Sequence, residues 1–435
     1  MLLSELQNGE YGIVSKVRGR GAFRKRIIEM GFIRGKKVTV IKNAPLKDPI
    51  EYSIMGYEIS LRRSEANLIE IITPEEAKEL VKTSYNGTLS PHNDWELVRT
   101  GAKAGSKIVN VALVGNPNSG KTTLFNNASG SKEHVGNYGG VTVDSKMAHF
   151  KHKGYTFNIT DLPGTYSLSA YTPEELYVRR FIHQQKPDVV INVVDASNIE
   201  RNLYLTTQLI DMDIKVVVAL NMYDELEAQG DIFRYNDLGK MIGIPFVPTV
   251  SSKGKGISEL FDKVINLYAD KDKTYRHVHI NYGRQIEHAI EAIQTPIKDS
   301  DNQNINIHYS SRYLSIKLLE KDKQAHRITG KSGSYDEILA ITNQQIERLE
   351  DIYNEDSEIL ITDAKYGFIA GALKETYTEN KHKKRQNTQI IDAFVTHKLF
   401  GFPIFLLFMW ISFYTTFKLG AYPMDSVLNS VKSAV

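Results

Sequence analysis

Gly115-Asn116-Pro117-Asn118-Ser119-Gly120-Lys121-Thr122 has the form GxxxxGK(S/T) and stands between an apolar run, 109–114 (VNVALV), and the helix-like Thr123-Leu-Phe-Asn-Asn. A phosphate loop needs that context, with a buried strand before it and a helix after it. Its glycines let backbone N–H groups turn toward phosphate oxygens. Lys121 supplies positive charge for the β- and γ-phosphates, and the Thr122 hydroxyl can ligate Mg²⁺. Asn116, Pro117, Asn118, Ser119 and Thr123 complete the expected phosphate contacts. The pattern around the loop repeats: near-continuous apolar runs at 189–194 (VVINVV), 216–220 (VVVAL) and 245–250 (PFVPTV) are separated by helical stretches such as 258–268. Such runs predict a mostly parallel sheet covered on both faces, an α/β domain of the P-loop type.

A phosphate loop serves ATP and GTP alike, so the base must be read from other strand ends. Asp161-Leu162-Pro163-Gly164 follows the run 157–160 (FNIT). Its aspartate can hold Mg²⁺ through water, and the Gly164 N–H can sense a γ-phosphate. Asn221-Met222-Tyr223-Asp224 follows the next buried run, where the Asp224 carboxylate can accept from the N1 and 2-amino donors of guanine. Adenine offers no such pair. Ser251-Ser252-Lys253 follows the last run and supplies a further expected base contact. DxxG and NxxD are weak signals singly; in order, at strand ends, they select GTP and GDP. Between the phosphate loop and Asp161 a switch segment is expected, and 135–144 (VGNYGGVTVD) fits it. There Gly140 and Val141 are expected to contact phosphate, with Thr142 joining Mg²⁺ only when the γ-phosphate is present. A plain hairpin loop is the competing reading of that segment.

The chain has 435 residues, room for about three domains. A hydrophobic fraction of 41% and a charged fraction of 24% are those of a globular protein, and a net charge of +3 does not argue for nucleic acid. Cysteine is absent, which excludes disulfides and thiolate metal sites. Residues 1–72 carry strand-like runs near 11–17, 37–41 and 58–62 and a short helix at 23–30, the pattern of a small β-barrel. Residues 73–106 read as a linker and 107–270 as the GTP-binding domain. Residues 271–388 are a helical domain, with helices near 284–293, 312–321, 337–353 and 364–377. After a juxtamembrane stretch, 389–398, an uncharged run (LFGFPIFLLFMWISFYTTF) occupies 399–417. A transmembrane helix over 399–422 is expected, with 423–435 as an extracytoplasmic tail. The basic residues Lys381, Lys383, Lys384 and Arg385 precede the run and place its N-terminal side in the cytoplasm.

The runs GNPNSGKTTLFN, VGNYGGVTVD, DLPGTYSL and NMYDE resemble the GTPase domain of bacterial ferrous iron transport protein B. The helical region and His397-Lys-Leu-Phe-Gly-Phe-Pro-Ile-Phe resemble that family's helical domain and the start of its first membrane helix. Residues 1–72 resemble ferrous iron transport protein A, a small SH3-like barrel. The resemblance implies an A–B fusion with slow GTP hydrolysis gating or driving Fe²⁺ uptake across a bacterial inner membrane, the N-terminal domains being cytoplasmic. It implies catalytic roles for Asn118, Lys121, Thr142 and Gly164. It also implies a K⁺ held by Asn118 where other GTPases use an arginine, because Thr165 stands where Ras-type enzymes have a glutamine. Met222 replaces the lysine of NKxD, as is frequent in the family. A polytopic membrane region is expected beyond this chain, and a homo-oligomer is compatible with the reading.

Two other functions compete. A cation-dependent GTPase of RNA modification or ribosome assembly would carry an RNA-binding module where this chain has an apolar run, and a scaffold would bind GTP without turnover. No nucleic-acid partner is expected. His134, His149 and His152 lack metal-ligand spacing with a carboxylate and read as surface residues. His277 and His279 could face one way on a strand, but sequence spacing shows no His/Asp/Glu cluster that would hold iron.

Overall fold

The computed structural model describes residues 1–19, 22–44, 48–73, 76, 89–91, 106–130, 133–136, 145–169, 172–298, 309–380 and 401–419. Period-two burial builds the N-terminal domain. β1 (Tyr11–Val17), β2 (Lys37–Asn43), β3 (Ile50–Ile54), β4 (Tyr57–Leu61) and β5 (Ile69–Ile72) form an antiparallel sheet in the order β4-β3-β2-β1-β5. Alternate residues such as Val38 and Val40, or Ile50, Tyr52 and Ile54, are buried. The helix Ala22–Glu29 covers them with Ile27 and Ile28 and ends near Gly31, whose φ of +94° favours glycine. β3 and β5 lie outside the strand runs read from sequence. β6 (Leu89–Pro91), inside the expected linker, pairs with a strand far along the chain.

Parallel strands buried on both faces set the central domain. β7 (Ile108–Gly115), β8 (Glu133–Gly136), β9 (Ser145–His152), β10 (Tyr155–Asp161), β11 (Val189–Asp195), β12 (Val216–Asn221), β13 (Ile232–Phe233) and β14 (Phe246–Pro248) follow in sequence. All but β13 join one sheet in the order β14-β12-β11-β7-β10-β9-β8. The five strands from β14 to β10 are parallel, and β9 and β8 continue the sheet antiparallel. Val109, Val111 and Leu113 of β7 pack on one face with Leu124, Phe125, Leu260 and Phe261. The intervening Ala112 and Val114 belong to the core of the other face, with Val178, Leu205 and Leu209. Each face is thus closed by helices, Lys121–Ser129 and Ile257–Tyr268 on the first, Pro173–Gln185 and Ile199–Asp211 on the second.

The helical domain follows β15 (Val278–Ile280) and comprises Arg284–Lys298, Ser311–Leu319, Lys323–Thr329, Tyr335–Tyr353 and Ser357–Thr376. The short helix Lys323–Thr329 has no counterpart in the sequence reading; Asp322 caps it by accepting from the N–H groups of Gln324 and Ala325 at 2.8 and 2.9 Å. The same Asp322 receives a two-pronged bond from Arg179 of the central domain, at 2.7 and 3.2 Å. Lys365, fully buried, reaches Asp211 at 3.1 Å and Glu320 at 2.9 Å. β16 (Tyr377–Thr378) pairs with β13 and ties the last helix back to the central domain. One continuous apolar core runs from the N-terminal domain through the second face of the sheet into these helices.

Residues Asn380–Val435 form a separate unit. Of the run expected to span a membrane, Gly401–Tyr414 is α-helical and Thr415–Leu419 continues as a π-helix, with Phe402, Phe405, Phe408 and Trp410 exposed. Residues 399–400 and 420–422, and the basic cluster 381–385, lie outside the described residues. Among the described residues no helix is long and apolar enough to cross a membrane.

A cavity of about 370 Å³ lies between the N-terminal and helical domains, lined by Ile28, Phe32, Tyr282, Ile286, Ile359 and Asp363 among others. Burial pushes the Asp363 carboxyl up to about 7, with Glu355 adding to the rise and Arg34 and Arg24 opposing it. The folded value exceeds the unfolded one of about 3.9. The folded chain therefore holds this proton more tightly, and the resulting stabilisation is fully present below about pH 4 and lost as pH rises through 7. Asp363→Asn should remove that component: the urea midpoint of the wild type should fall relative to the variant's between about pH 4 and 7. Parallel pH profiles for the two proteins would contradict the assignment.

Candidate functional site

Strand β7 ends at Gly115, and the chain turns through the phosphate-loop sequence into the helix Lys121–Ser129. A Cβ at Gly115 would collide with the carbonyl oxygen of Val193 on the neighbouring strand, and one at Gly120 would sit on Asn221 Nδ2. Gly120 also has φ +83°, so both its conformation and its surroundings require glycine. Asn116 and Ser119 are buried, and both polar atoms of the Asn116 amide, like Ser119 Oγ, lack a hydrogen-bond partner among the described residues. Buried groups of this kind are costly unless something satisfies them, and they line the loop that the sequence assigns to phosphate. Pro117 is half-buried; Asn118 is exposed, with φ +65°. Thr123 is exposed and its carbonyl accepts from Asn127 at 3.2 Å.

Asp161 closes β10, the strand beside β7, and is buried against the loop. Its carboxylate accepts from the Lys121 ammonium, and its other oxygen lies 3.3 Å from the Thr122 hydroxyl. Lys121, Thr122 and Asp161 therefore form one constellation of a cation, a hydroxyl and a carboxylate, the last two being suitable Mg²⁺ ligands. Leu162, Pro163 and Gly164 run alongside: the Leu162 N–H donates to Leu113 at 3.1 Å, and a Cβ at Gly164 would press on Pro117. The Thr165 N–H donates to the Gly115 carbonyl at 3.1 Å and its hydroxyl to the Ser167 carbonyl. Its side chain is thus engaged within its own loop.

Asn221, at the end of β12, joins the loops. Its Nδ2 donates to the Ser119 carbonyl at 2.8 Å. Its Oδ1 accepts from Ser251 N–H at 2.9 Å, Ser251 Oγ at 2.7 Å and Thr249 Oγ1 at 3.3 Å. Met222 follows with φ +56°, and Asp224 then pairs with Lys253 at 2.6 Å. That pairing holds the Asp224 carboxyl below its usual range. Ser252 is exposed between them. The structure thus gathers 115–122, 161–164, 221–224 and 251–253 at the C-terminal ends of adjacent parallel strands. Gly140, Val141 and Thr142 lie outside the described residues.

Several participants escape a motif search. Asn127, in the second turn of the loop helix, donates to the Ser251 carbonyl at 2.6 Å and braces the base-contact loop. The N-terminal domain reaches the segment after Gly164: Glu29 accepts from Ser169 Oγ, and Arg201 lies between the rings of Tyr57 and Tyr166 at 4.0 and 3.9 Å. No sequence spacing links Tyr57 to Tyr166. The expectation that no His/Asp/Glu cluster exists is corrected here. His277 Nε2 lies 3.1 Å and His279 Nε2 2.9 Å from Asp213 Oδ1, a carboxylate separated from them by 64 and 66 positions. His152, read as a surface residue, is paired with Asp262 at 2.8 Å, and His149 contacts Asn158 at 2.7 Å.

Three family profiles match the chain: FeoA domain over 1–73, Ferrous iron transport protein B over 109–264 and FeoB cytosolic helical domain over 282–378. The Fe(2+) transport protein A/Fe(2+) transporter FeoB fusion protein of Porphyromonas gingivalis is 46% identical over 98% of this chain and 53% of its own length. The Fe(2+) transporter FeoB of Escherichia coli K12 is 33% identical over 72% of this chain and 39% of its own. The chain thus spans about half the length, or less, of these relatives. Among solved structures, a GDP-bound mutant of the S. thermophilus FeoB G-domain superposes with a TM-score of 0.55 at 36% identity, covering 62% of this chain and 100% of that one. The GMPPNP form of the T. maritima FeoB cytosolic domain gives 0.52 at 32% identity, with 62% and 100% covered.

Proposed function

The chain belongs to the ferrous iron transport protein B family, with a ferrous iron transport protein A domain joined ahead of it, and we propose that it is the GTP-hydrolysing switch part of a ferrous iron transporter. One observation carries the guanine-nucleotide reading. Asn221 binds the phosphate loop through Ser119 and the base-contact loop through Ser251, so phosphate and base would be held by one rigid frame. Asp224 would accept from guanine N1 and the 2-amino group, with Lys253 orienting its carboxylate. Ser251 and Ser252 would flank the base.

The phosphates would enter where the Asn116 amide and Ser119 hydroxyl are buried without a partner among the described residues. Lys121 is paired with Asp161; phosphate oxygens offer the ammonium the same charge, and an exchange of partners would release the carboxylate toward Mg²⁺. Thr122 and Asp161 would hold that ion together with Thr142, and the ion supplies neutralisation of charge on the transferring phosphoryl group. Gly164, close against Pro117, would report the γ-phosphate through its N–H. Gly140 and Val141 would complete the switch around Thr142.

Thr165 cannot play a glutamine's part, because its hydroxyl is committed to Ser167. We therefore assign slow intrinsic hydrolysis, assisted by a K⁺ that Asn118, exposed at the loop, would hold. The domain division proposed is 1–72, 107–270 and 271–388, joined by the linker 73–106. The apolar run 399–422 is proposed as a helix of the inner membrane, with the preceding domains in the cytoplasm and further membrane segments forming the iron path. The buried pairs Arg179–Asp322 and Lys365–Asp211 would pass a change in the nucleotide site to the helical domain and onward.

Two outcomes are expected. Asp224→Asn should weaken GTP binding by about 100-fold, the loss of two charge-assisted bonds, and admit xanthosine triphosphate, which competitive displacement of a fluorescent nucleotide would read. Unchanged guanine preference would refute the role of Asp224. Steady-state GTP turnover should be about tenfold or more faster in K⁺ than in Na⁺ and lose that difference in Asn118→Ala; equal rates in both salts would remove the K⁺ assignment and leave the GTP site standing.

A further inference from the structure

We propose that Asp213, His277 and His279 form a binding site for a divalent first-row transition cation, separate from the nucleotide site. The three ligand atoms lie within 4.8 Å of one another. Both imidazoles place Nε2 near the same carboxylate oxygen, at 3.1 and 2.9 Å, and their rings meet edge to face with centroids 5.1 Å apart. An ion bonded to each donor at about 2.0–2.2 Å, with angles of 90–110°, requires donor separations of roughly 2.8–3.6 Å. The two His–Asp separations fall in that window and the His–His pair lies within 4.8 Å, so an ion could join the three donors once the rings move toward it.

The donor chemistry narrows the class. Two neutral imidazoles and one carboxylate suit Fe²⁺, Zn²⁺, Co²⁺ or Mn²⁺, whereas Mg²⁺ and Ca²⁺ prefer all-oxygen shells. The side chains are about nine-tenths or more buried, with exposures of 9%, 9% and 2%, so the site differs from the exposed acidic clusters common on protein surfaces. A bland alternative is that two histidines simply neutralise a buried aspartate. One imidazolium already neutralises one carboxylate, so the second buried imidazole within 3.1 Å of it favours the metal reading.

The location gives the site a consequence. Asp213, with φ +55°, lies in the turn between the helix Ile199–Asp211 and β12, while His279 is on β15, which pairs with β6 of the linker. A bound ion would fasten the base of the sheet to the strand preceding the helical domain. β12 runs from this turn to Asn221, so the two sites lie on the order of 20 Å apart at opposite strand ends. Metal occupancy would thus act on the seam between the domains without touching the nucleotide.

The test uses the full chain, stripped by chelator and free of nucleotide and Mg²⁺. Titration with Co²⁺ should give ligand-field absorption saturating at about one equivalent and lost on adding Zn²⁺. His277→Ala and His279→Ala should each bind at least about tenfold more weakly while retaining binding of fluorescent GDP. Absence of the Co²⁺ bands, or bands of equal affinity in both variants, overturns the proposal. Should an alanine variant fail to fold, His277→Gln and His279→Gln take its place: weakened Co²⁺ bands support the site and bands of wild-type affinity overturn it. Loss of GDP binding by the wild type with Co²⁺ binding intact would count against the GTPase reading alone.

Discussion

The side-chain amide of Asn221 is the contact on which the site depends. One buried carboxamide donates to the phosphate loop and accepts from the loop that follows β14, so two functional segments more than a hundred positions apart share a single rigid support. Its position follows from the sheet: β12 lies beside β11, and β11 beside β7, with all three pointing the same way. Their C-terminal ends therefore open on one side, where a ligand meets the turns of several strands at once. Glycine at 120 is the corresponding concession, because any side chain there would displace Asn221.

Around that frame the other domains are bound by burial and by charge. The apolar core of the second sheet face continues into the N-terminal domain and the helical domain, which leaves little room for independent motion. The charged pairs Arg179–Asp322 and Lys365–Glu320 are almost wholly buried. Burial alone would raise the Asp322 carboxyl, but the charge and hydrogen bonds of Arg179 outweigh it and keep Asp322 below its usual range. Such pairs stabilise little beyond a well-packed apolar alternative, yet losing one partner strands a charge. Their effect is to fix which helix faces which. The contact of Glu29 with Ser169 places the N-terminal domain directly on the loop that follows Gly164.

Much of this arrangement is legible along the chain because it rests on local patterns. The phosphate loop, DxxG and NxxD each follow a buried strand, and strands such as 189–194 announce themselves by unbroken apolar residues. The helices read at 284–293 and 337–353 show their period over many turns, and the structure extends them to Arg284–Lys298 and Tyr335–Tyr353. What was illegible is short or distant. β6 and β16 have three and two residues, too few for any period, and exist because a remote partner strand completes them. The helix Lys323–Thr329 depends on its Asp322 cap, which Arg179 also holds from another domain. The meeting of Asp213 with His277 and His279 is a product of tertiary folding, since the sequence shows two histidines at strand spacing while the carboxylate that joins them stands 64 and 66 positions earlier. Arg201 between Tyr57 and Tyr166 is hidden for the same reason.

The central claim is that Asn221 makes the phosphate and base loops one binding frame. Its direct measurement is the affinity of fluorescent GDP for Asn221→Ala beside the wild type, with urea unfolding followed on both. Removing at least two bonds of about 1 kcal/mol each and leaving the Ser119 carbonyl without its donor should weaken binding by about 100-fold, while unfolding remains cooperative. A variant that folds normally and binds GDP within about twofold of the wild type would contradict the account.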